Sequence, residues 1–124
     1  MIMLDTSAVI QLLRGSDIPN AWEDESIGIS VVVEMELHLG ALHGGGRREQ
    51  KRVDDFLTAV KIFDFDRAAA LETARVLAKL WSKGTPIGDF DAQIAGHALQ
   101  LRLPLLTTNP KHFRRVDGLQ VEIW

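Results

Sequence analysis

The sequence predicts an α/β fold with a parallel sheet covered by helices on both faces. Two observations predict it. Short apolar runs that fit buried strands recur at residues 2–4, 27–29, 62–65, 105–107 and 121–124. Helical patterns lie between them, and strands alternating with helices argue for a parallel sheet rather than hairpins.

Each element has its own reason. The run Ile2, Met3, Leu4 stops at Asp5, and Asp5-Thr6-Ser7 supplies N-cap residues for a helix through Ala8, Val9, Leu12 and Leu13, ended by Gly15. Residues 15–26 are polar, contain Pro19, and read as loop with irregular helix. From Ile27 to Leu39 two periods compete. Apolar residues alternate over thirteen positions, but typical strands run only ~5–6 residues. Ser30 can cap a helix on which Val32, Val33, Leu37 and Gly40 share a face, so the segment divides into a strand to Ile29 and a helix over 31–43.

Gly44-Gly45-Gly46 breaks the chain. Residues 47–59 read as a helix with Val53, Phe56, Leu57 and Val60 turned inward. Residues 67–83 form the clearest helix, rich in Ala and Leu and followed by Gly84. Pro86 precedes another helix over 89–101, and the strand at 105–107 ends in Thr107-Thr108-Asn109.

Composition sets the outer limits. The 124 residues, 46% hydrophobic and 25% charged, suit one domain over 1–124 with a real core. The absence of cysteine excludes a disulfide scaffold, a thiolate zinc site and a cysteine nucleophile. No run approaches the ~20 apolar residues of a membrane span, and the N-terminus lacks the pattern of a signal peptide, so a soluble, cytoplasmic protein is expected. With 17 acids against 14 bases, nothing global advertises nucleic acid, and evidence for such a partner must be local.

The local evidence is acidic. Ligands of parallel α/β sheets bind outside the carboxyl ends of the strands, where Asp5 and Asn109 fall. On a helix over 31–43, Glu36 neighbours Val32, Val33, Leu39 and Gly40. Asp91 similarly neighbours Ile87, Gly88, Ile94 and Ala95. Carboxylates on apolar faces are costly unless partnered, and like charges brought together raise one another's pKa. A hard divalent cation, Mg²⁺ or Mn²⁺, removes that conflict and can activate water beside a phosphate. Structural alternatives stand beside this reading. Asp5 can cap the first helix, Glu36 can pair with an arginine, Asp91 can answer a helix dipole, and Asp89 is better placed as an N-cap than as a ligand.

Other chemistries find little support. There is no His-Glu-x-x-His, no Gly-x-Ser-x-Gly and no phosphate-binding Gly-x-x-x-x-Gly-Lys-[Ser/Thr]. His97 reads as a packed or hydrogen-bonded helix residue, and the three tryptophans as packing. Basic residues cluster at Arg47, Arg48, Lys51 and Arg52, and again at Lys111, Arg114 and Arg115 beside the acidic rim, where a phosphate backbone would pass.

Four short motifs in order resemble the PIN-domain family, in particular its VapC toxins, over essentially the whole chain. They are Met3-Leu4-Asp5-Thr6-Ser7; Ile29-Ser30 through Glu36-Leu37 and Gly40; Pro86-Ile87-Gly88 with Asp91, Ile94-Ala95 and His97-Ala98; and Leu106-Thr107-Thr108-Asn109 with His112-Phe113, Val116 and Gly118-Leu119. The resemblance implies a three-layer α/β/α fold with a central mostly parallel sheet. It implies a Mg²⁺- or Mn²⁺-dependent endoribonuclease with Asp5, Glu36 and Asp91 as metal ligands, homodimerisation, and inhibition by a VapB-type antitoxin. Operator DNA would be bound only indirectly, through the antitoxin. Many family members carry Asp near the fourth motif where this chain has Asn109, so Asp89 is a candidate extra carboxylate and Asn109 a candidate water- or phosphate-orienting amide. Thr6, Ser7, Arg114 and Arg115 are the expected substrate contacts.

Two alternatives belong to other classes. A non-catalytic PIN-like module would hold RNA or protein without binding metal. A phosphotransfer protein is disfavoured, since Asp5 is followed by Thr6 and Ser7 rather than by a second acid.

Overall fold

The computed structural model describes all 124 residues. Five strands form one sheet: β1 (Ile2–Leu4), β2 (Ile27–Ser30), β3 (Lys61–Phe63), β4 (Leu105–Thr107) and β5 (Val121–Ile123). Their order is β3-β2-β1-β4-β5, and every pairing is parallel. Each parallel step requires a crossover, and helices supply it. These are α1 (Thr6–Leu13), α2 (Val31–Gly40), α3 (Gly46–Ala59), α4 (Arg67–Ser82), α5 (Asp89–Leu101) and α6 (Pro110–Phe113). The result is the expected three-layer α/β/α arrangement.

The central strand β1 has a buried residue at every position, as continuous apolar strands in covered parallel sheets do. Ile2, Met3 and Leu4 join Ile29, Leu105 and Leu106 in one core with Val9, Val33, Ile94 and Phe113. Strand order reverses at β1, which pairs with β2 on one side and β4 on the other. Chain connections diverge there, at the carboxyl ends of β1 and β4, the place where ligands of parallel α/β sheets bind.

Three local readings need correction. The third strand begins at Lys61 and ends at Phe63, so Asp64 and Phe65 lie beyond it. Helix α2 ends at Gly40 rather than running to His43, and the chain kinks over Ala41–Gly45, where His43 and Gly44 leave helical backbone angles. Gly44 there takes φ +108°, which a side chain would resist. Asp89 is not an N-cap: Gly88 holds that position, and Asp89 is the first helical residue of α5, making no capping hydrogen bond. The short α6 was not expected at all; Pro110 at its first position pre-sets the helical φ.

Candidate active site

Asp5 leaves β1 in extended backbone and caps α1, accepting from the Ala8 amide at 2.9 Å. The capping reading was therefore correct, and it does not exhaust the residue. Asp5 is only 4% exposed, and its carboxylate accepts two further donors. Ser7 Oγ lies 2.7 Å from Oδ1 and 2.9 Å from Oδ2, and Thr107 Oγ1 donates to Oδ2 at 2.6 Å. The hydroxyls are themselves held: the Thr108 amide donates to Ser7 Oγ at 3.1 Å and the Asn109 amide to Thr107 Oγ1 at 3.0 Å. A chain of hydrogen bonds from α1 and β4 therefore fixes the rotamer of a buried carboxylate.

Glu36 projects from α2 and is half-buried. Its partner is Thr6, whose hydroxyl donates to Oε1 at 2.8 Å, and no arginine or lysine pairs with it. Asp91, in the first turn of α5, stands 3.5 Å from His112 Nδ1 on α6.

The acids share one electrostatic field. Burial pushes the Asp5 carboxyl up from its ordinary range; hydrogen bonds from Thr107, Ala8 and Ser7 pull it back, and the charge of Asp91 adds to the rise. Burial likewise pushes Glu36 up, the Thr6 hydrogen bond opposes it, and the charges of Asp91 and Asp5 reinforce it. Desolvated carboxylates that repel one another, with hydroxyls but no ammonium or guanidinium to answer them, are the chemistry of a hard-cation site. No three acidic or histidine side chains converge closely enough to ligate one ion directly. The donor set therefore fits a small hydrated dication, which keeps several waters and binds through one or two carboxylates. It does not fit an all-protein cage.

The other expected residues are distributed unevenly. Thr6 and Ser7 lie in the site, but both hydroxyls are occupied in orienting Glu36 and Asp5. Asn109 is exposed at the end of β4, and its side chain makes no capping bond. Asp89 is exposed two residues before Asp91. Arg114 is exposed. Arg115 is engaged elsewhere: its guanidinium donates to the Pro86 carbonyl at 2.9 Å and lines a cavity of about 320 Å³ with Arg75, Val76, Leu80 and Leu99.

Thr107 and His112 were missed as site residues. The β1–β4 register pairs Leu4 with Leu106, which sets Asp5 beside Thr107. That pairing joins residues a hundred positions apart and leaves no local trace. The available signal was the fourth motif, in which both Thr107 and His112 stand.

Comparison with known proteins shows the family and the fold. The PIN domain model matches residues 2–119. The tRNA(fMet)-specific endonuclease VapC of Salmonella typhimurium is 37% identical over 97 residues, covering 77% of this chain and 74% of the relative. Ribonuclease VapC2 of Haemophilus influenzae is 31% identical over 127 residues, covering 98% of this chain and 96% of its own length. Among solved structures, DNA-bound VapBC from Salmonella typhimurium superposes with a TM-score of 0.90 at 32% identity, covering 100% of this chain and 99% of that one. VapBC2 from Rickettsia felis, bound to a promoter DNA fragment, gives a TM-score of 0.89 at 29% identity, with the same coverage.

Proposed function

The chain belongs to the PIN domain family, and from that premise we propose that it is the endoribonuclease toxin of a type II toxin–antitoxin pair. It hydrolyses RNA phosphodiester bonds with Mg²⁺ or Mn²⁺ and is restrained by a VapB-type antitoxin. The observation that carries this reading is the shared field of Asp5, Glu36 and Asp91 at the strand-order reversal, which no lysine or arginine pairs and which His112 meets only at Asp91, at 3.5 Å. Similarity to ribonucleases over most of the chain supports it, and so does similarity to toxin–antitoxin complexes. No helix is long and apolar enough to cross a membrane. The protein acts in the cytoplasm, as a homodimer, and meets operator DNA only through its antitoxin.

Each residue then has a defined task. Asp5, Glu36 and Asp91 hold the cation, directly or through its waters, with Asp89 as a further acid at the mouth. A bound Mg²⁺ or Mn²⁺ supplies an activated water and neutralises charge on the scissile phosphate. Thr107, Ser7 and the Ala8 amide keep Asp5 ionised and aimed, since each donates to the charged form. Thr6 does the same for Glu36. The Asn109 amide, exposed beside them, orients water or a phosphate oxygen. Arg114 guides the RNA backbone, while Arg115, tied to Pro86, fixes the loop before α5.

The decisive experiment incubates the purified protein with RNA, beginning with tRNA(fMet), in the presence and absence of Mg²⁺ or Mn²⁺. Metal-dependent cleavage leaving 3′-hydroxyl and 5′-phosphate ends is expected, and folded Asp5→Asn and Asp91→Asn variants should lose it. Cleavage at the wild-type rate by those variants would overturn the mechanism. The lack of three directly converging ligands favours one rival, a non-catalytic module that binds RNA or protein without metal. Retained partner binding with no measurable Mg²⁺ or Mn²⁺ affinity would establish that rival.

A further inference from the structure

His97 has no role in the site so far described, yet it is one of the largest fully buried side chains, at 1% exposure. It lies on α5, where its Nδ1 is 2.8 Å from Ser30 Oγ. Ser30 is buried too, at the end of β2, and it caps α2 by accepting from the Val32 amide at 3.1 Å. Ser30 Oγ keeps a second lone pair and its own proton, so either atom can donate in this bond, and either way it ties the His97 ring to the Ser30 side chain. Phe65 and Phe63 meet the ring edge-on, with centroids 5.4 and 6.3 Å away, and close off other rotamers.

Apolar side chains of similar volume often fill such a space as well, so what this pair adds is a directional bond between two elements. The geometry here is informative. Asp91 lies six residues before His97 on α5, and Glu36 six residues after Ser30 on α2, each about 9 Å along its helix at 1.5 Å per residue. About 100° around the helix from His97, α5 is seated against α4 at Gly96, where the Thr73 backbone approaches so closely that no side chain fits. The helix bearing one acid is thus fixed in rotation by two neighbouring residues, and one of them bonds the cap of the helix bearing another.

We infer that the His97–Ser30 hydrogen bond is a positioning clamp that sets the separation of Asp91 and Glu36 for binding one divalent cation. The inference rests on the metal-dependent reading above. His97 touches neither substrate nor cation and acts only through the two helices it joins.

The test measures Mn²⁺ affinity calorimetrically on the folded protein, then kcat and KM on RNA. The variants are Ser30→Ala, His97→Phe, the double Ser30→Ala/His97→Leu and the hydroxyl-retaining Ser30→Thr. Outer-sphere contacts typically govern metal affinity by ~10–100-fold. About tenfold weaker Mn²⁺ binding and lower kcat with little change in KM are expected in the first three, and near wild-type values in Ser30→Thr. The double variant leaves no orphaned imidazole or hydroxyl, though like Ser30→Ala it strips the Val32 amide of its cap acceptor, whereas His97→Phe keeps the cap and separates the two effects. Wild-type Mn²⁺ affinity in the folded variants overturns the clamp, as does failure of the double variant to fold, which would make the pair structural. If the wild type itself neither binds Mn²⁺ nor cleaves RNA, the metal-dependent function fails first and the clamp with it.

Discussion

Thr107 Oγ1 donates to Asp5 Oδ2 at 2.6 Å, joining the ends of β4 and β1 where the strand order reverses. This bond is the link between topology and chemistry in the site. The same hydroxyl accepts from the Asn109 amide at 3.0 Å, so one side chain aims a carboxylate and shapes the loop that carries Asn109.

Thr107→Val keeps the shape and removes both bonds. It leaves the Asn109 amide without an acceptor and Asp5 with one donor fewer, a loss of ~1–3 kcal/mol. Mn²⁺ affinity or kcat should fall ~10–100-fold, as for other ligand-orienting contacts. Urea denaturation and metal titration of the same preparation check both effects. A variant that loses stability but binds Mn²⁺ like the wild type would confine Thr107 to the fold.

Glu36→Gln should behave in the opposite sense on stability. Burial and the neighbouring acids raise the Glu36 carboxyl, so its charge burdens the folded state above that raised pKa. A neutral amide removes the burden while still accepting from Thr6. The metal-free variant should therefore melt higher than wild type at pH 8, and the advantage should vanish near pH 4, where Glu36 is itself protonated. Mn²⁺ should raise the wild-type melting temperature more than that of the variant, and RNA cleavage should drop at least ~100-fold. Thermal melts at the two pH values, with and without Mn²⁺, are the check. Lower metal-free stability for Glu36→Gln at pH 8 would contradict the electrostatic account.

The acids themselves were legible because their misplacement is local. Glu36 and Asp91 each interrupt an apolar helical face, and Asp5 ends an apolar strand. What holds them was not legible. The Thr6–Glu36 bond spans 30 positions, Thr107–Asp5 spans 102, and His97–Ser30 spans 67. Those contacts depend on strand register and helix rotation, which hydrophobic period alone does not specify. Element ends failed for a similar reason. Asp89 has the composition of a cap, but Gly88 takes the cap position in extended backbone. Arg115 illustrates the limit on the surface: sequence proximity to Asn109 suggested a phosphate contact, whereas the chain turns it toward the Pro86 carbonyl.

Gly96→Ala tests how tightly α5 is seated. A methyl group there would lie 2.7 Å from Thr73 Cα and 2.8 Å from its backbone nitrogen, inside any real contact. Backbone cannot yield as a flexible side chain does, so α4 and α5 must separate. Overpacking of this kind costs ~1–3 kcal/mol, and the upper end is expected. The urea midpoint should fall with little change in the slope of the transition. An unfolding free energy within ~0.5 kcal/mol of wild type would mean that the interface is looser than the structure describes.

Asn109→Ala and Asp89→Asn should separate chemistry from stability. Both residues are exposed, and neither side chain caps its helix. Stability should change by less than ~0.5 kcal/mol in each. Loss of cleavage in Asn109→Ala would then report an amide acting on water or phosphate, and weaker Mn²⁺ binding in Asp89→Asn would report a fourth acid. Wild-type rates and affinities in both would remove these residues from the site.

The buried imidazole gives stability a dependence on pH that can be isolated. Burial lowers the pKa of His97 from its ordinary 6.5, and the charge of Asp66 only partly restores it. The unfolded chain takes up this proton near 6.5 while the folded chain resists, so the unfolded state binds more protons below that value. Stability is thus full above about pH 6.5 and declines as the pH falls below it, by up to ~1.4 kcal/mol per pH unit for one proton. Asp5 and Glu36 act with the opposite sign, because the fold takes their protons more readily than the unfolded chain does. Comparing wild type with His97→Gln cancels that contribution, since both proteins retain the acids. The stability difference between the two should favour wild type most at pH 8 and narrow steadily toward pH 5. Denaturation curves at half-unit intervals measure it, and a difference that stays constant across this range would show that His97 titrates alike in the folded and unfolded chains.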